Sequence, residues 1–148
     1  MAVEADLRTL LLTFTPVTAL VGTGDSARIR PDKLAQGDDD TEEAIIIEVD
    51  DERPLNDLAG KSLRRYADVT IRCRARTKAR ARALAVAVKL NGTDPGTGLG
   101  GYTGTVNCTL YSIYLDDEQT SMSPVEDGSD EAYYDVFSNY VITWAEAA

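Results

Sequence analysis

The first twenty residues carry apolar side chains at helical spacing. Val3, Leu7, Leu10, Leu11 and Phe14 fall on one face of a predicted α-helix. Glu4 and Asp6 stand near its amino end, where the helix dipole favours acidic side chains. Pro16 should end or break this helix, and residues 17–21 then predict a short second helical turn that closes at Gly22.

Apolar runs further along the chain predict β-strands. Ala44–Val49 is a β-branched run typical of a strand, and Ala27–Pro31 is a short strand that proline stops. Thr105–Leu115 and Tyr133–Trp144 complete the strands predicted outside the middle of the chain. The polar segments between elements are predicted to be loops. They are Asp32–Glu43, Arg53–Gly60, Thr93–Gly101 and Asp116–Glu131.

The clearest alternation lies in the middle of the chain. Its apolar positions are Ala67, Val69, Ile71, Cys73 and Ala75, and its polar positions are Asp68, Thr70, Arg72, Arg74 and Arg76. A period of two predicts a strand with one buried face. Thr77 is the expected N-cap of a helix that runs to Leu90 and stops at Asn91-Gly92. The apolar stripe of this helix is Ala81, Leu84, Ala85 and Val88.

These elements predict a single α+β domain over residues 1–148. We expect a mostly antiparallel sheet of four to five strands with two main helices packed on one face. Asp116–Glu131 holds seven acids and no base, and it is expected to be a long acidic loop that is functional or that orders on assembly. The alternative is a tolerated insertion between two hairpin strands.

The residue types present argue against catalysis. The chain has no histidine and so lacks the commonest general base and zinc ligand, and we expect neither an enzyme nor a cofactor or metal site. The acids of residues 38–43 lack the spacing of a calcium loop, and the glycines of residues 92–101 lack the context of a phosphate loop. Cys73 and Cys108 make no disulfide framework, and Cys73 is expected to be buried and inert.

Localisation signals are also missing from the sequence. No apolar run is long enough for a membrane span, and the amino end lacks the basic region of a secretory signal. We therefore expect a protein that is made in the cytosol and that has no membrane partner.

Charge is strongly segregated along the chain. Residues 61–89 contain ten Lys or Arg and one acid, which gives +9, whereas the rest of the chain carries −19. Concentrated like charge opposes folding of an isolated subunit, but the basic part of one copy can meet the acidic part of the next. The pattern therefore favours a self-assembling protein. A solvated basic face and a local contact with nucleic acid are the alternatives.

The predicted subunit interface follows from these charges. Its basic side is Arg72, Arg74, Arg76 and Arg82, and its acidic side is Asp116, Asp117, Asp127 and Asp130. Because one side differs from the other, such contacts are heterologous and can close into a ring.

The order and spacing of the elements resemble the tail completion proteins of long-tailed bacteriophages and phage-derived particles, also called tail terminator or tail-to-head joining proteins. The matching segments are the amino-terminal helix ending in Val17–Gly22, the strands Arg28–Pro31 and Ala44–Val49, the Asp68–Arg72 strand running into the Thr77–Leu90 helix, and the closing strand Tyr133–Val141. The acidic loop and the arginine-rich middle depart from that pattern.

The resemblance implies a virion structural protein without enzymatic activity. It implies a homo-oligomeric ring, typically of six subunits, that terminates the tail tube and joins it to the head connector. Its partners would be further copies of itself, the tail tube protein and the head-completion protein, with DNA passing transiently through the lumen. Assembly would occur in the cytoplasm of a bacterial host. A head-closure or tail-tube protein, and an acidic regulatory binding module, are the alternatives.

Overall fold

The computed structural model describes residues 3–24, 27–31, 43–57, 60–91, 98–106, 109–123 and 133–145. The helices are α1 (Val3–Leu11), α2 (Thr15–Val21) and α3 (Lys78–Leu90). The strands are β1 (Ile29–Pro31), β2 (Ala44–Asp57), β3 (Gly60–Ala75), β4 (Thr103–Val106), β5 (Thr109–Ser123) and β6 (Tyr133–Ala145).

The strands form one six-stranded sheet in the order β1-β2-β3-β6-β5-β4. β1 pairs in parallel with β2, and all other neighbours pair antiparallel, so that the sheet curls into half of a barrel. The predicted α+β class and mostly antiparallel pairing are confirmed. The predicted four to five strands are too few, because the single strand expected over residues 105–115 is a hairpin in which β4 ends at Val106 and β5 begins at Thr109.

Helices and sheet share one apolar core. Buried residues of α1, α2 and α3 form a single cluster with buried residues of the strands, including Leu11, Val17, Ile45, Ile71 and Leu84. The short second helical turn predicted at residues 17–21 is confirmed as α2, which joins the two main helices as a third, short one. Pro16 lies in its first turn, where the missing N–H of proline leaves no helical hydrogen bond unmade. Gly22 follows it with a φ of 95°, a conformation that favours glycine.

The alternation in the middle of the chain is confirmed. Its apolar positions, from Ala67 to Ala75, are all buried, and the thiol of Cys73 is fully enclosed. At the start of α3 the Thr77 hydroxyl accepts a hydrogen bond from the backbone N–H of Arg80, as the N-cap prediction requires. Asn91 ends the helix in the left-handed conformation. The predicted stripe of α3 is buried against β3 and β6.

Two predicted loops are largely strand. The Arg53–Gly60 loop is wrong, because β2 continues to Asp57 and β3 begins at Gly60. Pro54 is tolerated there because β1 pairs only with residues 45–47 of β2, which leaves the outer edge of the later residues without a described neighbouring strand. The loop predicted at Asp116 is also wrong in its first half, because β5 continues to Ser123 and pairs with β6. Residues 124–131 lie outside the described residues.

A buried hydrogen bond fixes α1 to strand β5 of the sheet. The Tyr111 hydroxyl of β5 donates to the carboxylate of Asp6, and both side chains are buried. Burial, together with this acid, raises the pKa of the Tyr111 hydroxyl above its ordinary value. Arg8 adds a second anchor, because its Nε donates to the Ile29 carbonyl at 2.9 Å. These contacts seat α1 across both halves of the sheet.

Candidate interaction surface

The face of the sheet opposite the helices carries the polar residues of the central strands. On β3 these residues alternate with the buried ones, and Asp68, Arg72 and Arg74 are only half-buried there. The register places Arg72 opposite Phe137 and Arg74 opposite Asp135 on β6. Two regions of this open face differ in charge: an arginine cluster at one end and an acidic cleft nearer the other.

The arginine cluster is built around one buried carboxylate. Asp135 has a relative exposure of 1%, and its two oxygens receive hydrogen bonds from Arg72 Nη2 at 3.1 Å and Arg74 Nε at 3.0 Å. Arg72 also lies 3.8 Å from Glu48 and stacks over the ring of Phe137, with 5.4 Å from guanidinium carbon to ring centroid. The cluster therefore holds its two arginines by ion pairs and packing within one subunit.

Several other bases of the basic segment also meet acids of their own chain. Arg65 pairs with Glu52 at 3.4 Å, and Lys89 pairs with Glu118 at 3.7 Å. Arg80 donates to Glu43, so at least five of the ten bases between residues 61 and 89 have acidic partners inside the subunit. The charge separation seen along the sequence is thus partly cancelled by folding.

Glu43 is the buried acid at the start of β2. Burial alone would raise the pKa of its carboxyl, but the hydrogen bond and charge of Arg80 and the charge of Arg28 outweigh it, so the pKa is lowered below its ordinary value. Arg28 also donates to the Glu43 carbonyl at 2.7 Å. This acid therefore links α3 to the edge of the sheet.

Two β-bulges frame the acidic cleft. The register shifts between Val49 and Asp51 on β2 and between Leu115 and Asp117 on β5, so that Asp50 and Asp116 are the extra residues. The last regular pair before each bulge is Val49 with Val69 on one side and Leu115 with Tyr140 on the other. Because Val69 pairs with Tyr140, both bulges lie at one level of the sheet. Bulges re-aim side chains locally, and here each supplies a carboxylate to the same depression.

We call this depression the bulge cleft. It encloses about 290 Å³ and is lined by Asp50, Asp68, Val69, Asp116, Asn139, Tyr140 and Val141. Among the residues that the structure describes, its lining carries three carboxylates and no base. One wall is fixed by Thr70, whose hydroxyl donates to Asp50 Oδ2 at 2.5 Å and lies 2.9 Å from Asn139 Oδ1. Tyr114, which pairs with Val141 of the lining, is 53% exposed beside it.

The exposed side of α3 lies on the other face of the molecule. Lys78, Arg82 and Val86 recur every four residues and form a stripe that we call the α3 ridge. All three are exposed, Val86 to 43%. Ala79 and Ala83 beside them are exposed and small, so the longer side chains of the ridge stand above their surroundings.

The structure separates the predicted interface residues into different places. Arg72 and Arg74 lie in the arginine cluster with Asp135, Arg76 is half-buried at the end of β3, and Arg82 is exposed on the α3 ridge. Asp116 lines the bulge cleft, and Asp117 is exposed beside it. Asp127 and Asp130 lie outside the described residues. Contact between subunits remains a prediction for these residues.

Some residues of this surface were missed from the sequence. Asp135 sits inside a predicted strand, and only the register that sets it against Arg74 shows its role. Asp50 belongs to a run of three acids and Asp68 is a single acid in a chain rich in acids, and their convergence depends on the bulges. The exposure of Tyr114, in a strand whose neighbours Tyr111 and Ile113 are buried, follows from alternation and could have been found.

The structure offers little for covalent or metal chemistry in the part of the chain that it describes. Burial raises the pKa of the Cys73 thiol, so that the thiolate is disfavoured. Within the described residues no group of three or more acids and cysteines has the geometry to hold a metal ion. None of the described helices has both the length and the apolar composition needed to cross a bilayer.

No protein-family model matches the chain, and no curated protein matches it. Among solved structures, the fold is similar to that of a chain from the "Virion of native gene transfer agent (GTA) particle", with a TM-score of 0.64 and 17% sequence identity. The likeness covers 96% of this chain and 95% of that chain. At this identity, the likeness shows a shared fold over nearly the full length of both chains.

Proposed function

We propose that the chain is a structural protein of a phage-like particle and that it forms the terminator ring of the tail. The observation that carries the proposal is the fold, which matches a chain of a gene transfer agent virion from end to end. The order of elements in the sequence independently resembles tail completion proteins. Particle assembly needs surfaces rather than catalytic groups, and the most distinctive features of this chain are charged surfaces.

In this proposal six copies form a closed ring through heterologous contacts. The ring caps the finished tail tube, stops its growth and offers its other side to the head-completion protein. DNA passes through the lumen at delivery. A chain with a net charge of −10 suits this passage, because an acidic lining does not retain a polyanion.

Removing the gene from a particle-producing strain tests this role. We expect DNA-filled heads without attached tails, together with tubes of uncontrolled length, and we expect the wild-type chain supplied from a plasmid to restore normal particles. Electron microscopy of the lysate measures both. Antibody labelling should then place the chain at the head–tail junction of complete particles.

The alternatives give different particles in the same experiment. Loss of a tail tube protein leaves no tubes at all. Loss of a head-closure protein leaves finished tails of normal length beside heads that lose their DNA. An acidic regulatory module would be absent from purified particles and would leave their shape unchanged. Each of these outcomes contradicts the terminator role.

A further inference from the structure

We propose that the α3 ridge of one copy docks in the bulge cleft of the next copy. This contact rests on the proposed function only in requiring self-assembly, and it names the surfaces that would form the ring. The ridge and the cleft lie on opposite faces of the same sheet layer. A contact between them is therefore heterologous, and repetition of it closes a ring if the rotation per subunit allows.

Charge complementarity is the first argument. The ridge presents the cations of Lys78 and Arg82, both exposed, whereas the described lining of the cleft holds three carboxylates and no base. Arginine favours carboxylates because its planar guanidinium can hydrogen-bond both oxygens. Arg72 and Arg74 are less suited to bind a neighbour, because Asp135 already holds them. Folding thus leaves the ridge as the basic surface best placed for a partner.

Apolar exposure is the second argument. Val86 on the ridge and Tyr114 beside the cleft are the exposed large hydrophobic residues in the described part of the chain. Val86 continues the line of Lys78 and Arg82, and Tyr114 continues the cross-strand row from Asp68 through Val141. Each surface therefore combines charge with one apolar side chain at its end. Burying a valine against a tyrosine ring on association would add to the attraction of the charges.

A second copy of the chain is the occupant that these features favour. The cleft repels nucleic acid because of its carboxylates, and its complement in charge is present on the same polypeptide. The acids of the cleft are also set rigidly, since they come from two bulges and a central strand instead of a loop. Rigid placement lowers the entropic cost of binding a partner.

Two reversed variants test the contact in the full-length chain. The ridge variant is Lys78→Glu with Arg82→Glu, and the cleft variant is Asp68→Lys with Asp116→Lys. Glutamate at position 78 lies in the first turn of α3, where it suits the helix dipole, and position 82 is exposed, so the ridge variant should fold normally. Sedimentation velocity at about 0.15 M salt measures self-association, and circular dichroism checks folding.

We expect the wild-type chain to form ring-sized oligomers and each variant alone to associate at least about tenfold more weakly, because like charges then face each other. A 1:1 mixture of the two variants should recover assembly. In the mixture, the reversed ridge meets the reversed cleft and the native ridge meets the native cleft, so alternating oligomers form. Recovery in the mixture identifies the two surfaces as partners.

The control variant is Ala5→Glu with Thr9→Glu, which adds two acids on the exposed side of α1. It should assemble like the wild-type chain. The contact is overturned if either reversed variant assembles normally, if the mixture stays monomeric, if the control is equally defective, or if the wild-type chain is monomeric at its highest soluble concentration. The terminator role is judged separately by the gene removal. If the purified chain forms rings as expected but tails remain normal in the strain that lacks the gene, the role is rejected and the contact is kept.

Discussion

At the scale of single residues, Asp135 is the side chain on which the open face depends. It is buried and receives hydrogen bonds from two arginines that are themselves less than one quarter exposed. Replacing it by asparagine removes the buried negative charge that pairs with both guanidinium groups. We expect Asp135→Asn to lower the free energy of unfolding by about 2–3 kcal/mol, measured by urea denaturation at neutral pH.

A matched control for Asp135→Asn exists on β2. Asp51 pairs with Arg53 at 2.6 Å, but the two side chains are 42% and 56% exposed. Solvent screens such a pair, so Asp51→Asn should cost less than about 1 kcal/mol. Equal effects of the two substitutions would show that the burial of Asp135 contributes nothing to its pairing.

Glu43 supplies the pH dependence expected at this scale. Its pKa in the folded chain is lowered below the ordinary value of 4.5, so its ionised form stabilises the fold. That stabilisation is fully present above the unfolded pKa and is lost as the pH falls through the folded pKa. The difference in unfolding free energy between the wild-type chain and Glu43→Gln should therefore be larger at pH 7 than at about pH 3. A difference that does not change with pH would show that ionisation of Glu43 is irrelevant to stability.

These residue contacts also mark where sequence reasoning stops. The alternation around Cys73 was enough to predict that the thiol is buried and to place Arg72 and Arg74 on the opposite face. It could not predict their partner, because Asp135 lies sixty-one residues after Arg74 and is brought to it by the pairing of β3 with β6. Charge counted along the sequence therefore overstated the basic surface that folding leaves available.

At the scale of elements, the sequence predicted a helix end correctly where a side chain makes a specific hydrogen bond to the backbone. The start of α3 is the clearest case, since Thr77 caps the helix and its hydroxyl lies 3.2 Å from the backbone nitrogen of Arg80. Thr77→Ala removes this acceptor and should lower the free energy of unfolding by about 1 kcal/mol. Thr77→Ser keeps the hydroxyl and should remain close to the wild-type chain in the same urea titration. A large loss in the serine variant would assign the effect to the lost methyl group instead.

The ends of strands were predicted poorly, for a different reason. Pro54 and Asn56 are typical loop residues, and the acids that follow Leu115 show no apolar alternation. Both segments are nevertheless strand, because each pairs along one side with a central strand, β3 or β6. Pairing of this kind depends on residues distant in sequence, so propensity within the segment does not reveal it. The bulge cleft was invisible for the same reason.

At the scale of the whole molecule, two electrostatic effects of different range oppose each other during assembly. Copies with a net charge of −10 repel over long distances, whereas the contact between the α3 ridge and the bulge cleft acts only when the surfaces meet. Raising salt from about 0.01 M to about 0.1 M shortens the screening length from about 30 Å to about 10 Å and mainly removes the repulsion. At about 1 M salt that length is about 3 Å, and the contact itself is weakened.

The self-association constant of the wild-type chain should therefore pass through a maximum between low salt and about 1 M salt. The ridge variant, Lys78→Glu with Arg82→Glu, lacks the short-range attraction, so its association should rise with salt and should not fall again at about 1 M. Sedimentation at a series of salt concentrations distinguishes the two curves. A wild-type curve that also rises to the highest salt would mean that apolar burial, and not the charges of the ridge and cleft, holds the copies together.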